Sequence, residues 1–127
     1  MTHKDRERIN DALRAAEAGT SSLIFVRVIP DDSVDAFERA KSEFLTRGLH
    51  THPAANAALI LVAPKSRAFA VIGDRALDER VGQKFWDDLV VEMSAAFKTE
   101  TPTDAIVKGI KRLGEALHTH FAADETP

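Results

Sequence analysis

The stretch Ala57-Ala58-Leu59-Ile60-Leu61-Val62-Ala63 is almost continuously apolar. After the turn-forming Pro64-Lys65-Ser66 comes Arg67-Ala68-Phe69-Ala70-Val71-Ile72, closed by Gly73-Asp74. A strand-length run without polar alternation is what a strand buried on both faces requires, so the first stretch belongs at the centre of a sheet. The second follows its turn at once and reads as the antiparallel arm of a hairpin. Upstream, Leu23 to Ile29 (Leu-Ile-Phe-Val-Arg-Val-Ile) is β-branched and aromatic and supplies a further strand.

Helical patterns surround these strands. Thr2 to Ala18 opens on a Thr2/Asp5 capping box, repeats Ile9, Leu13 and Ala16 at helical spacing, and stops at Gly19. Its apolar stripe is thin, which suits loose packing or a contact surface. Pro30-Asp31-Asp32-Ser33 ends the first strand and offers a cap for a helix over Val34 to Arg47. There Val34, Phe37, Phe44 and Leu45 are expected on one side and Gly48 at the end. The next helix is expected over Val81 to Lys98, with Val81, Phe85, Trp86, Leu89, Val90, Met93, Ala96 and Phe97 forming a wide apolar stripe. The last starts at Thr101-Pro102-Thr103-Asp104, which combines an N-cap, a proline at the first helical position and a capping acid. Ile106, Ile110, Leu113, Leu117 and Phe121 follow on one face. The expected architecture is α/β: one domain over residues 1–127, its core at about 9–121, with a mixed sheet of about three to five strands flanked by helices and a flexible tail at 122–127.

Composition narrows the function classes. The 127 residues suit one domain, and 44% hydrophobic with 29% charged residues is an ordinary globular balance. A net charge of −3 gives no basic footprint for nucleic acid. The absence of cysteine removes disulfides, thiolate chemistry and Cys-based metal sites. The amino terminus is too charged for a signal peptide, and no apolar run reaches membrane-spanning length. A cytoplasmic protein without direct membrane insertion is expected. There is no nucleophile elbow, no phosphate-binding glycine loop and no dinucleotide fingerprint.

The apolar strand at Ala57 to Ala63, the hairpin strand with its Phe69-Ala70-Val71-Ile72-Gly73-Asp74 ending, and Val81-Gly82 followed by Phe85-Trp86 together resemble the TPM domain family in order and spacing. Ala16-Glu17-Ala18-Gly19-Thr20-Ser21 resembles that family's lead-in to its first strand. The resemblance spans roughly Ile9 to Phe121 and implies an α/β/α sandwich. The family includes a thylakoid lumen protein described as an acid phosphatase, together with many short bacterial proteins of unknown role. This chain departs from the pattern at Leu23, where the family usually has glutamate, at Ala55, where arginine is common, and at Ala76, where many members have glycine.

If the first two strands are parallel and the third returns antiparallel, Asp74 lies near Thr20 to Ser22 and the His50 to Asn56 loop. Asp74, Asp78 and Glu79 then supply oxygen donors from one short loop, a set suited to Ca2+ or Mg2+. In the structural reading, Asp78 and Glu79 are solvated charges favouring the start of a helix. His50 and His52 have a spacing that suits zinc on a strand but sit in a loop without a third ligand. His118 and His120 point about 200° apart on a helix, and His3 is terminal. Asp31, Asp32 and Asp35 are explained by helix capping. Trp86 and Phe85 are core candidates, with Trp86 also a candidate partner-binding anchor. The expectation is a noncatalytic TPM-type module that binds an unidentified protein partner and holds a divalent cation near Asp74. Two alternatives stay open: a cation-dependent phosphatase-like hydrolase using Asp74, and a dimerisation or scaffold domain built on the first helix.

Overall fold

A computed structural model describes residues 1–30 and 35–122. Its elements are α1 (His3–Glu17), β1 (Ile24–Val28), α2 (Ala36–Thr46), a 3-10 turn (Leu49–Thr51), β2 (Ala58–Ala63), β3 (Ala68–Gly73), α3 (Arg75–Thr99) and α4 (Pro102–His120). They fall into two compact units. One is Leu23–Gly82, and the other joins Met1–Ser22 to the chain from Gln83 onward.

The first unit holds a three-stranded mixed sheet in the order β1-β2-β3. β1 runs parallel to β2, with Ile24 opposite Ala58, and β3 returns antiparallel, with Gly73 also opposite Ala58. Hydrogen bonds from Ala58 N to Leu23 O (2.9 Å) and from Ile29 N to Val62 O (2.9 Å) carry the parallel ladder over the whole of Leu23 to Ile29. Every residue of β2 is buried, as the unbroken apolar run requires. On one face of the sheet Leu59, Leu61, Ala63, Ala70 and Ile29 pack with Ala40 and Phe44 of α2 and with Leu49.

The row of α2 that enters this core differs from the sequence expectation. Ala40 and Phe44 are buried with Ala36 packed against them, whereas Phe37 and Leu45 are 53% and 60% exposed. Residues 36, 40 and 44 share one helical row, and 37 and 45 lie about 100° round from it. The small Ala40 is what lets the helix sit close to the sheet. The cap also differs: Asp35 accepts from Phe37 N (3.0 Å) and Glu38 N (3.2 Å). The expected cap residues 31–33, with Asp31 and Asp32 among them, and Val34 lie outside the described residues.

α3 begins six residues before the expected Val81. Asp74 Oδ1 accepts from Arg75 N (2.8 Å) and Asp74 O accepts from Asp78 N (2.9 Å), so Asp74 caps a first helical stretch whose Leu77 is buried. Gly82 interrupts α3 with φ 78° and ψ 170°, a region that essentially only glycine occupies.

In the second unit α1 packs on α4. Gly114 lies so close to Ala16 that a Cβ on it would stand 2.8 Å from the Ala16 Cβ. Ile9 and Ala16 are the buried residues of α1, facing an α4 whose Ile106, Ile110, Leu113 and Leu117 are fully buried. Both expected capping boxes form, Thr2 with Asp5 and Thr101 with Asp104. Asp104 also accepts from Arg8 Nη2 (2.9 Å), tying the start of α4 to α1. α4 ends at His120, so Phe121 stands as its C-cap instead of continuing the apolar face. Ala122, expected in the tail, makes a β-bridge with Thr20. No helix among the described residues is long and apolar enough to cross a membrane.

Candidate functional site

The Asp74 end of the sheet is built by strand register. β3 delivers Asp74 to the end where β1 and β2 begin. Asp74 N donates to Ala57 O (2.8 Å) and Ala76 N to Ala55 O (2.8 Å), which lays Asp74 alongside Asn56. Asn56 is fully buried. Ala55, just before it, has φ 53°, a left-handed conformation unusual for alanine, and its N donates to His52 O (2.9 Å). The expected approach of Asp74 to the His50 to Asn56 loop is therefore met at the carboxyl end of that loop. Thr20 to Ser22 belong to the other unit.

The two oxygens of Asp74 differ. Oδ1 caps α3 through Arg75 N. Oδ2 is buried and accepts no hydrogen bond among the described residues. Asp78 and Glu79 do not share a loop with Asp74: both are exposed on the opening turns of α3. Asp78 stands one helical turn from Asp74, and Glu79 is about 100° further round. Among the described residues no group of three or more histidine or acidic side chains is arranged to hold a metal ion. His50 is exposed in the 3-10 turn and His52 follows it as the half-buried C-cap. In the other unit His3 pairs with Glu7 (3.0 Å), and His118 Nε2 lies 3.3 Å from Ala15 O.

Trp86 is half-buried on α3 and meets Phe85 edge-to-face, centroids 5.1 Å apart. Arg112 of α4 lies 5.8 Å from the Phe85 ring centroid. Val90 and Val91, expected in part as core, are 46% and 68% exposed.

A further polar cluster was not foreseen. Glu43 of α2 accepts from Arg27 Nε (3.4 Å) and from Arg39 Nη2 (3.2 Å) at Oε1, and from Arg47 Nε (2.8 Å) at Oε2. Burial works against ionisation of Glu43, but the hydrogen bonds from Arg47, Arg39 and Arg27 outweigh it and hold its pKa below the ordinary carboxylate value. Arg39, Glu43 and Arg47 are four residues apart, a spacing visible in the sequence. That Arg27 joins them required knowing which face of β1 meets α2.

The TPM domain family model matches residues 1–116. The chain belongs to the TPM domain family. Among solved structures, it is similar to the BA42 protein of the psychrophilic bacterium Bizionia argentinensis, with 30% identity and a TM-score of 0.88 over 98% of this chain and 86% of that one. The N-terminal domain of cg2496 from Corynebacterium glutamicum aligns at 16% identity and TM-score 0.74 over 100% of this chain and 80% of that one. An N-terminal domain from P. gingivalis aligns at 12% identity and TM-score 0.81, covering 100% and 83%. The last two likenesses show the fold alone. No curated protein matches. Leu23, Ala55 and Ala76 place apolar side chains at this TPM domain's Asp74 end.

Proposed function

We propose that this TPM domain is a noncatalytic interaction module that binds a protein partner through α3. The observation that carries the reading is the exposure of Val90 and Val91 on α3, Val90 standing one turn from the half-buried Trp86. Trp86 and Val90 are one turn apart and share a face. Adjacent apolar side chains left in water favour burial against an apolar partner surface, and a tryptophan is a common anchor for such contacts. The test places a photoreactive residue at position 91, identifies the captured protein, purifies it and titrates it against the wild type by Trp86 fluorescence. Saturable binding that Val91→Asp abolishes, with an unchanged far-ultraviolet spectrum, supports the reading. Failure of every captured protein to bind saturably overturns it.

A second reading, a divalent cation held at Asp74, is favoured by the buried Oδ2 that accepts no hydrogen bond among the described residues. A buried carboxylate oxygen without a donor is costly, and a hard cation satisfies it. Asp78 is the next nearest acid along the helix and the candidate second ligand. An amide NMR titration with Ca2+ and then Mg2+ tests this. Saturable shifts around Asp74 that vanish in Asp74→Ala are expected, and uniform weak shifts in both proteins contradict it.

A further inference from the structure

We propose that Arg27, Arg39 and Arg47, gathered around Glu43 between α2 and β1, form a binding site for a phosphate monoester dianion. Three guanidinium charges meet one carboxylate, so the cluster carries a net charge of +2 in a chain whose formal net charge is −3. Among the described residues Glu43 is the one carboxylate paired with these arginines. Nearby on α2, Lys41 and Glu38 pair with each other (3.0 Å) and leave the balance unchanged.

The donors exceed the acceptors. Each guanidinium has five N–H groups, against about four lone-pair positions on a carboxylate. Glu43 takes Nε from Arg27 and Arg47 and two nitrogens from Arg39. Arg27 Nη1 donates to Val28 O (3.4 Å), and among the described residues the remaining donors have no other acceptor. The arginine side chains are 35%, 34% and 37% exposed, whereas Glu43 is 12% exposed. The carboxylate thus lies beneath the guanidiniums and holds them together, while their outer edges face solvent.

The cluster is also pre-oriented. The Arg47 guanidinium lies 4.4 Å from the centroid of the Phe25 ring, which restrains it. Arg39 and Arg47 lie one turn before and one turn after Glu43, Arg47 as the C-cap of α2, and Arg27 is fixed by a strand. Guanidiniums so held lose less freedom on binding than free surface arginines. Ligand charge selects the class. A phosphate monoester carries about −1.5 to −2 at neutral pH and has three acceptor oxygens, which match the +2 cluster, whereas one carboxylate leaves it half neutralised. Inorganic phosphate and a phosphorylated side chain of a partner present this same chemistry.

The experiment follows the arginine Nε–H resonances while the full chain is titrated with inorganic phosphate at constant ionic strength, then with a phosphoserine peptide and its unphosphorylated form. Saturable shifts at Arg27, Arg39 and Arg47 are expected, with affinity falling about tenfold in Arg39→Gln. That variant leaves Arg27 and Arg47 on Glu43, so the fold has a second support, and its amide spectrum verifies it. Arg47→Lys keeps the charge and is expected to lose affinity because the planar fork is gone. Tighter binding of the phosphopeptide than of phosphate identifies a phosphorylated partner, and equal binding identifies the free anion. Shifts that follow chloride as well as phosphate, or affinity unchanged in Arg39→Gln, overturn the site and leave the cluster as a strap between α2 and β1.

Discussion

Glu43 and Asp74 are two carboxylates in the same compact unit with opposite surroundings. Glu43 is enclosed by three guanidiniums, and its pKa is lowered by them in spite of burial. Asp74 uses one oxygen to cap α3 and keeps the other buried with no donor among the described residues. A carboxylate with more cations than it needs joins elements and leaves donors over for an anion. A carboxylate with an unmet oxygen contributes less to the fold, and this is the oxygen on which the proposed cation site rests. The polarity of the ligand each region suits is thus opposite.

Removing the better-satisfied acid has the largest expected effect. Glu43→Gln leaves three mutually repelling cations on a half-buried amide and is expected to cost about 2–3 kcal/mol in denaturant unfolding. A loss no greater than that of Asp74→Ala breaks the comparison. The pH dependence sharpens it. The Glu43 pKa is lowered on folding, so its contribution is present above the unfolded carboxylate value of about 4.3 and is lost as pH falls through the folded value. The stability difference between wild type and Glu43→Gln is therefore expected to be full at neutral pH and to shrink in acid, read from unfolding curves at each pH.

Cation binding is the next effect. If the proposed site binds, Ca2+ or Mg2+ at tenfold excess over its dissociation constant is expected to stabilise the wild type by about 1.4 kcal/mol, read as a raised melting temperature, and to leave Asp74→Ala unmoved. Without cation, Asp74→Ala is expected to cost about 1 kcal/mol or less. It removes a helix cap but also a buried oxygen that lacked a donor. A loss near that of Glu43→Gln would show that Asp74 is chiefly structural.

The sequence carried the sheet well because β2 has no polar residue to obscure its burial, and the two Thr/Asp capping boxes marked the starts of α1 and α4. It misled at α2, where the larger Phe37 and Leu45 drew attention from the Ala36, Ala40 and Phe44 row that packs inward. It also misled after Asp74, where the charges of Arg75, Asp78, Glu79 and Arg80 hid a helical turn anchored by the single buried Leu77. Of the candidate site, Asp74 and its nearness to Asn56 were legible from strand direction. The Glu43 cluster was not, because its members lie on two elements whose facing sides only the fold determines.

The proposed function is binding without hydrolysis. Phosphate release from an aryl phosphate, with Mg2+ and with Ca2+, tests it most directly when wild type and Asp74→Ala are run side by side. The same background rate is expected for both proteins. Metal-dependent turnover in the wild type that Asp74→Ala abolishes would contradict it and make the Asp74 end of the sheet an active site.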